Sequence, residues 1–124
     1  MRSLFRFVPA MVLIASLGCH THEIAPLNIE RLSQQEMRDG HFVYVYEAVA
    51  ALRPGWLVVR GTDSFRHPSQ IWVYFDETRL GGVSELRNVS VNSVAWAQHY
   101  DGVTATQRWG VGHSAGVIFL SSYE

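Results

Sequence analysis

Val94-Ala95-Trp96-Ala97-Gln98-His99-Tyr100, then Asp101-Gly102, then Ala115-Gly116-Val117-Ile118-Phe119-Leu120 are the runs that decide the fold of this chain. The first alternates, with Val94, Trp96 and Tyr100 able to share a face, which is the period of a strand. Asp101-Gly102 breaks it. Thr104 to Trp109 has room for about one and a half helical turns. Gly110 and Gly112 add backbone freedom that residues with a Cβ lack. The last run is almost continuously apolar, long enough for a buried strand and too short for most helices. The remaining sequence reads as material to pack against this pair.

Gly112-His113-Ser114-Ala115-Gly116 is a literal G-x-S-x-G, the pattern of the hydrolase nucleophile elbow. That elbow needs a buried strand before the serine and a helix after it. Here a glycine-rich turn comes first and a β-branched apolar run follows, and no histidine lies downstream of Gly116. Small residues that let the turn approach a neighbouring backbone explain the motif better than activation of Ser114 does.

Composition narrows the remaining classes. The 124 residues suit one domain once a leader is set aside. Arg2 and Arg6 precede an apolar stretch from Phe7 to Leu17, followed by Gly18 and Cys19. A basic start, a short apolar core and small residues at a cleavage point make an export signal. The apolar core falls short of the roughly 20 residues of a transmembrane helix. The sequence therefore divides into a signal peptide over 1–18, a tether and polar lead-in over 19–40, and a domain over 41–124. Beyond the leader, eight arginines face eleven acidic residues, a charge of −3 with histidines neutral, and the chain has no lysine. Such a balance lacks the basic footprint of a nucleic-acid binder, so no nucleic-acid partner is expected.

Taken in order, His20-Thr21-His22-Glu23 has the donor set of a metal site. On a tether it lacks the outer partners that fix ligands, so it reads as a hydrophilic spacer. No metal and no cofactor are expected. Asn28 to Gly40 is polar, with Ile29, Leu32 and Met37 giving partial periodicity for a short helix or strand. His41 to Arg53 is the best helix candidate, since Val45, Ala48, Val49 and Leu52 form one stripe. Its opening, Phe42 to Tyr46, has strand propensity. Pro54 ends the helix and Gly55 turns the chain. Trp56 to Arg60 reads as a strand, Gly61 to Gln70 as an exposed loop, and Ile71 to Phe75 as a central strand apolar on both faces. Asp76-Glu77-Thr78 turns into a return strand through Gly82, and Ser84 is placed to cap a helical turn. The result is an α+β fold: a small mixed sheet of about four strands with one or two helices packed on it.

Four tryptophans, Trp56, Trp72, Trp96 and Trp109, lie in or beside these elements. Residues so placed are mostly core, but they are also the candidate contacts for a partner or ligand. The acid–base candidates are Asp63 with Arg66 and His67, and His99 with Asp101. Nothing in the sequence gathers either set into a pocket.

Two resemblances add to this reading. Ala15-Ser16-Leu17-Gly18-Cys19 resembles the lipobox cut by lipoprotein signal peptidase, which implies that Cys19 becomes a lipid-modified N-terminus. The His20 beside it implies sorting to the outer membrane. A lone exported cysteine without a disulfide partner fits that role. Further on, Val73-Tyr74-Phe75-Asp76, Leu86, Val89, Val94, Gly102, Ala105, Arg108-Trp109-Gly110-Val111-Gly112 and Ala115-Gly116-Val117-Ile118 resemble, in order, the plug domain of TonB-dependent outer-membrane receptors. Leu52-Arg53-Pro54-Gly55 and Arg60-Gly61 resemble that family's helix exit and strand end. Asp76-Glu77 replaces the family's Asp-Gly turn, Trp109 replaces an aromatic that is usually tyrosine or phenylalanine, and no barrel sequence follows the plug-like part. The resemblance therefore implies a plug-like scaffold without transport. The expected function is that of a non-enzymatic envelope lipoprotein. It would be membrane-held through Cys19 and would bind an envelope protein partner. A sugar- or siderophore-like ligand on exposed tryptophans is the alternative, and hydrolysis through Ser114 the remote one.

Overall fold

A computed structural model of the chain describes residues 31–60 and 69–124. The sheet is mixed, with five strands in the order β1-β4-β5-β2-β3: β1 (Arg31–Ser33), β2 (Trp72–Phe75), β3 (Thr78–Gly82), β4 (Trp96–Tyr100) and β5 (Val117–Ser121). Only β2 and β5 run parallel; the other pairs are antiparallel. The α-helices are α1 (Gln34–Asp39), α2 (Val45–Leu52) and α3 (Gly102–Trp109), with 3₁₀ turns at Pro54–Leu57, Val83–Asn88 and Val91–Ser93. The α+β class holds, with one strand more than expected.

That strand is β1, and it comes from the polar lead-in. The ordered fold starts before residue 41, because Leu32 is fully buried and Ser33 begins a helix. Ser33-Gln34-Gln35-Glu36 is a capping box: Ser33 Oγ accepts from the Glu36 amide, and the Ser33 amide donates to Glu36 Oε2 at 2.9 Å. Met37 then reaches the core, and the helix stops at Gly40. Helix α2 follows its apolar stripe, burying Val45, Ala48 and Val49, while Leu52 stays exposed at its end.

Trp56 to Arg60 is not a strand. Pro54 sits in the first turn of a 3₁₀ helix over Pro54–Leu57, which swings Trp56 into the core at 6% exposure. Proline's fixed φ suits such a start and its missing amide costs nothing there. Ser84 lies inside the helical turn instead of capping it: the 3₁₀ turn over Val83–Asn88 begins after Gly82, without a side-chain cap. Strand β2 is interior, as its two apolar faces imply, but the centre is β5, whose five residues are all buried. Between β2 and β3, Asp76 takes the positive φ (52°) of the tight turn, so Glu77 is spared it. Asp76 also accepts from Ser122 N (2.9 Å) and Oγ (2.7 Å), tying this turn to the end of β5.

Two glycines clamp β4, α3 and β5 together. A Cβ at Gly102 would overlap the Ser114 carbonyl, and one at Gly116 would lie 2.7 Å from the Tyr100 carbonyl oxygen. Gly116 also sits at φ 100°, where other residues are strained. Backbone approach is thus what the glycine-rich turn provides.

Strand alternation separates two faces. Leu32, Val73, Ala97, Ile118 and Leu120 point inward, into one cluster with Met37, Val45, Val49, Leu86 and Val91. Tyr74, Val117 and Phe119 point to the opposite, outer side, with Trp72, Trp96 and Tyr100 beside them and Ala105 and Trp109 of α3 resting on top.

Candidate functional site

Among the described residues, aromatic and charged side chains gather most densely on the outer face. Cross-strand register sets its central row. Arg31 pairs with Gln98, Gln98 with Phe119, Phe119 with Tyr74, and Tyr74 with Arg79. Directly opposed residues share a face, so one line crosses all five strands with an arginine at each edge. Strands lie about 4.8 Å apart, which puts the ends of the line about 19 Å from each other.

Each arginine is laid on a ring. The Arg31 guanidinium carbon is 4.0 Å from the Trp96 ring centre, and that of Arg79 is 4.7 Å from Trp72. Arg108, in the last turn of α3, lies 4.7 Å from Trp109 and 5.1 Å from Phe119, and donates to Tyr100 Oη at 3.0 Å. These are cation–π distances. Among the described residues the ion pair found is Arg53–Glu36, at 3.2 Å, so none of these three guanidiniums meets a carboxylate there.

The rings themselves are held. Trp96 Nε1 donates to the Tyr123 carbonyl at 3.0 Å, and Trp72 Nε1 donates to the Gly112 carbonyl at 2.9 Å. Trp109 stacks on Tyr74 with centroids 5.2 Å apart and meets Tyr100 edge-on at 5.2 Å. With their N–H groups satisfied, the indoles of Trp72 and Trp96 form a fixed floor and lose little freedom on contact. Both are half-buried, and Arg31, Arg79 and Arg108 are exposed.

Among these rings lies the buried His113. Its Nδ1 is 2.9 Å from the Gly110 carbonyl oxygen and its Nε2 2.9 Å from Tyr74 Oη. A carbonyl only accepts, so Nδ1 carries a proton; in the neutral ring Nε2 then accepts from the tyrosine. The histidine of the G-x-S-x-G sequence is thereby bound to the sheet. Ser114 Oγ is buried without a hydrogen-bond partner, so no imidazole is in bonding range of it. The turn around it opens into β5, not into a helix. An open groove of about 530 Å³ beside it is lined by Asp101, Gly102, Val103, Thr106, Gln107 and Ser114, with no tryptophan in its wall.

The sequence candidates separate accordingly. Trp72, Trp96 and Trp109 meet on the outer face, whereas Trp56 is a core residue stacked on His99 at 5.9 Å and cannot serve as a contact. Of His99 and Asp101, the carboxylate serves the backbone of the following helix. Asp101 Oδ1 caps α3 by accepting from the Thr104 amide at 2.7 Å. That bond, seconded by the nearby His99, holds its carboxyl below the usual range. Glu36 is also depressed: partial burial pulls it up, but hydrogen bonds from Ser33 and the charge of Arg53 outweigh that. Cys19, the His20-Thr21-His22-Glu23 cluster, and Asp63, Arg66 and His67 lie outside the described residues. Among the described residues no group of three or more histidine, cysteine or acidic side chains is placed to hold a metal, and no helix is long and apolar enough to cross a membrane.

Reading residues singly missed the three arginines. The neighbouring Trp109 is the signal that could have found Arg108, whereas Arg31 and Arg79 join the site through strand register and contacts with distant rings. No family model, curated protein or solved structure matches the chain.

Proposed function

We propose that this chain is a non-enzymatic cell-envelope lipoprotein, held to the outer membrane through Cys19, whose plug-like domain binds a protein partner on the outer face of its sheet. The observation that carries this reading is the arginine-on-tryptophan floor, with Arg31 on Trp96 and Arg79 on Trp72. Tryptophan and arginine are the residues most enriched at protein–protein hot spots, and rings already fixed by backbone carbonyls suit that use. The lipobox-like leader and the plug-like order of residues support the compartment and the scaffold.

A partner strand added at a sheet edge is the less favoured mode. Edge strand β3 is bulged, with Leu80 as the extra residue between Arg79 and Gly81, and β1 is only three residues long. Bulges, charges and short strands are how edges are protected from pairing. A small ligand held among tryptophans is weakened by the burial of Trp56.

A photo-crosslinking residue at Gln98, on the central row, tests the reading in the cells that make the protein. A discrete protein adduct is expected from Gln98, and none from Ala50 on the exposed side of α2. Equal labelling from both sites, or no protein adduct from Gln98, would sink it. Mass spectrometry of the mature N-terminus should find an acylated Cys19; an unmodified residue there would remove the anchor.

A further inference from the structure

We infer that the outer face takes an acidic protein segment laid across the strands, with its carboxylates received by Arg31, Arg108 and Arg79 in turn. This deepens the protein-binding reading just given and rests on it. Arg31 and Arg79 stand at the two ends of one register row centred on Phe119, and the three guanidiniums lie in turn over Trp96, over Trp109 and Phe119, and over Trp72. Each edge strand lies two strand intervals, about 10 Å, from the central β5. An extended chain advances about 3.3 Å per residue, which matches carboxylates at every third position.

The charges are poised for this. Each guanidinium lies over aromatic rings, the Arg31 and Arg79 ones within 5 Å of a centre; Arg108 spends one N–H on Tyr100 Oη, and none of the three meets a carboxylate among the described residues. A planar guanidinium held by its face presents the two-pronged edge that a carboxylate accepts. Among the described residues Asp76 is committed to Ser122, Asp101 to Thr104, and Glu36 to Ser33 and Arg53, and no carboxylate lies within ion-pair distance of these three arginines. An anionic lipid surface shares the charge but fits the relief less well. Helix α3 stands on the middle of the face, holding a flat surface off the floor, whereas a chain segment can pass its last turn, where Arg108 sits.

Arg87 supplies the internal control. It stacks on Tyr46 at 3.9 Å, but Tyr46 packs with the inner cluster, on the far side of the sheet.

The test uses the full chain and a fluorescein-labelled peptide with glutamate at every third position, read by anisotropy at low salt. Binding is expected, weakening roughly tenfold or more in the Arg31→Gln/Arg79→Gln/Arg108→Gln triple variant, because three exposed charge pairs of up to about fivefold each are lost together. Arg87→Gln should leave affinity unchanged, and the glutamine version of the peptide should not bind. All four positions are exposed, and if the triple variant melts early, the single replacements read the same loss in parts. No binding of the glutamate peptide, or an equal loss in Arg87→Gln, overturns the proposal. Binding to phosphatidylglycerol vesicles with none to the peptide also overturns it, and assigns the face to membrane instead. A protein adduct at Gln98 together with any of these results keeps the protein-binding reading and discards the acidic segment alone.

Discussion

The two faces of the sheet are built from the same strands to opposite ends. The inner face is aliphatic and sealed: Leu32, Val73, Ala97, Ile118 and Leu120 are at most 2% exposed beneath α1, α2 and the 3₁₀ turns. The outer face is aromatic, carries three arginines, and has α3 resting on it. Alternation along each strand makes this separation possible, since neighbouring residues answer to different demands. It teaches where free energy and recognition reside. Close-packed aliphatic groups give stability but offer nothing to a partner, and fixed rings under arginines do the reverse.

The sharpest way to break that comparison is to delete one side chain from each face. Leu120→Ala should destabilise the protein by about 3–4 kcal/mol, because the lost transfer energy is joined by a cavity that the sealed core cannot close. Trp96→Ala removes a larger group, yet it should cost only about 1–2 kcal/mol, since a half-exposed ring leaves no enclosed void. Denaturant melts of both variants decide the matter. If Trp96→Ala cost as much as Leu120→Ala, the outer face would be a second core.

Next in size is the bond that holds the Gly110–Gly116 turn to the outer face. Tyr74→Phe removes the hydroxyl 2.9 Å from His113 Nε2 and leaves a buried ring nitrogen unpaired. The expected cost is about 1–2 kcal/mol, the desolvation penalty of one orphaned group. In a double-mutant cycle with His113→Ala most of that cost should vanish, because the orphan goes with the ring. Independent, additive losses would mean the bond does not hold the Gly110–Gly116 turn to the sheet.

How much of this was legible in the sequence follows from the range of each signal. Helix α2 was readable because its stripe and its Pro54 stop lie within ten residues of each other. Strands β2, β4 and β5 were readable from apolar runs, as was the α3 turn that joins the last two. Strand β1 was not: three residues of Arg-Leu-Ser carry no periodicity, and only pairing with β4 makes them extended. The Ser33–Glu36 capping box that follows fits S-x-x-E, a local signal that a reading by hydropathy alone passes over. Trp56 to Arg60 misled because β-branched residues favour strands only when a neighbour accepts them, and here Pro54 imposes a tight helical turn first. Of the site, the tryptophans were legible as residue types. Their separation into one core ring and three outer ones, and the arginine row that crosses them, depend on contacts between residues dozens of positions apart.

The smallest effect compares the caps on the two sides. Glu36 begins the inner helix α1 and Asp101 the outer helix α3, and both carboxyls are depressed. Hydrogen bonds favour the charged form in each, from Ser33 at Glu36 and from Thr104 at Asp101; at Glu36 they also have to overcome partial burial. A carboxyl depressed in the folded state adds stability above its ordinary value, and this is lost as the pH falls through the folded value. Stability should therefore decline from pH 5 downward, and Glu36→Gln should flatten that decline. The Glu36 side chain is 40% exposed, so solvent screening limits the difference at neutral pH to about 0.5 kcal/mol. Asp101→Asn should change the slope with the same sign, because its amide keeps an oxygen for Thr104 but loses the charge. Melting curves at pH 7 and pH 3 measure both. A slope that neither substitution alters would place the acid sensitivity in other carboxylates and leave the caps acting by geometry alone.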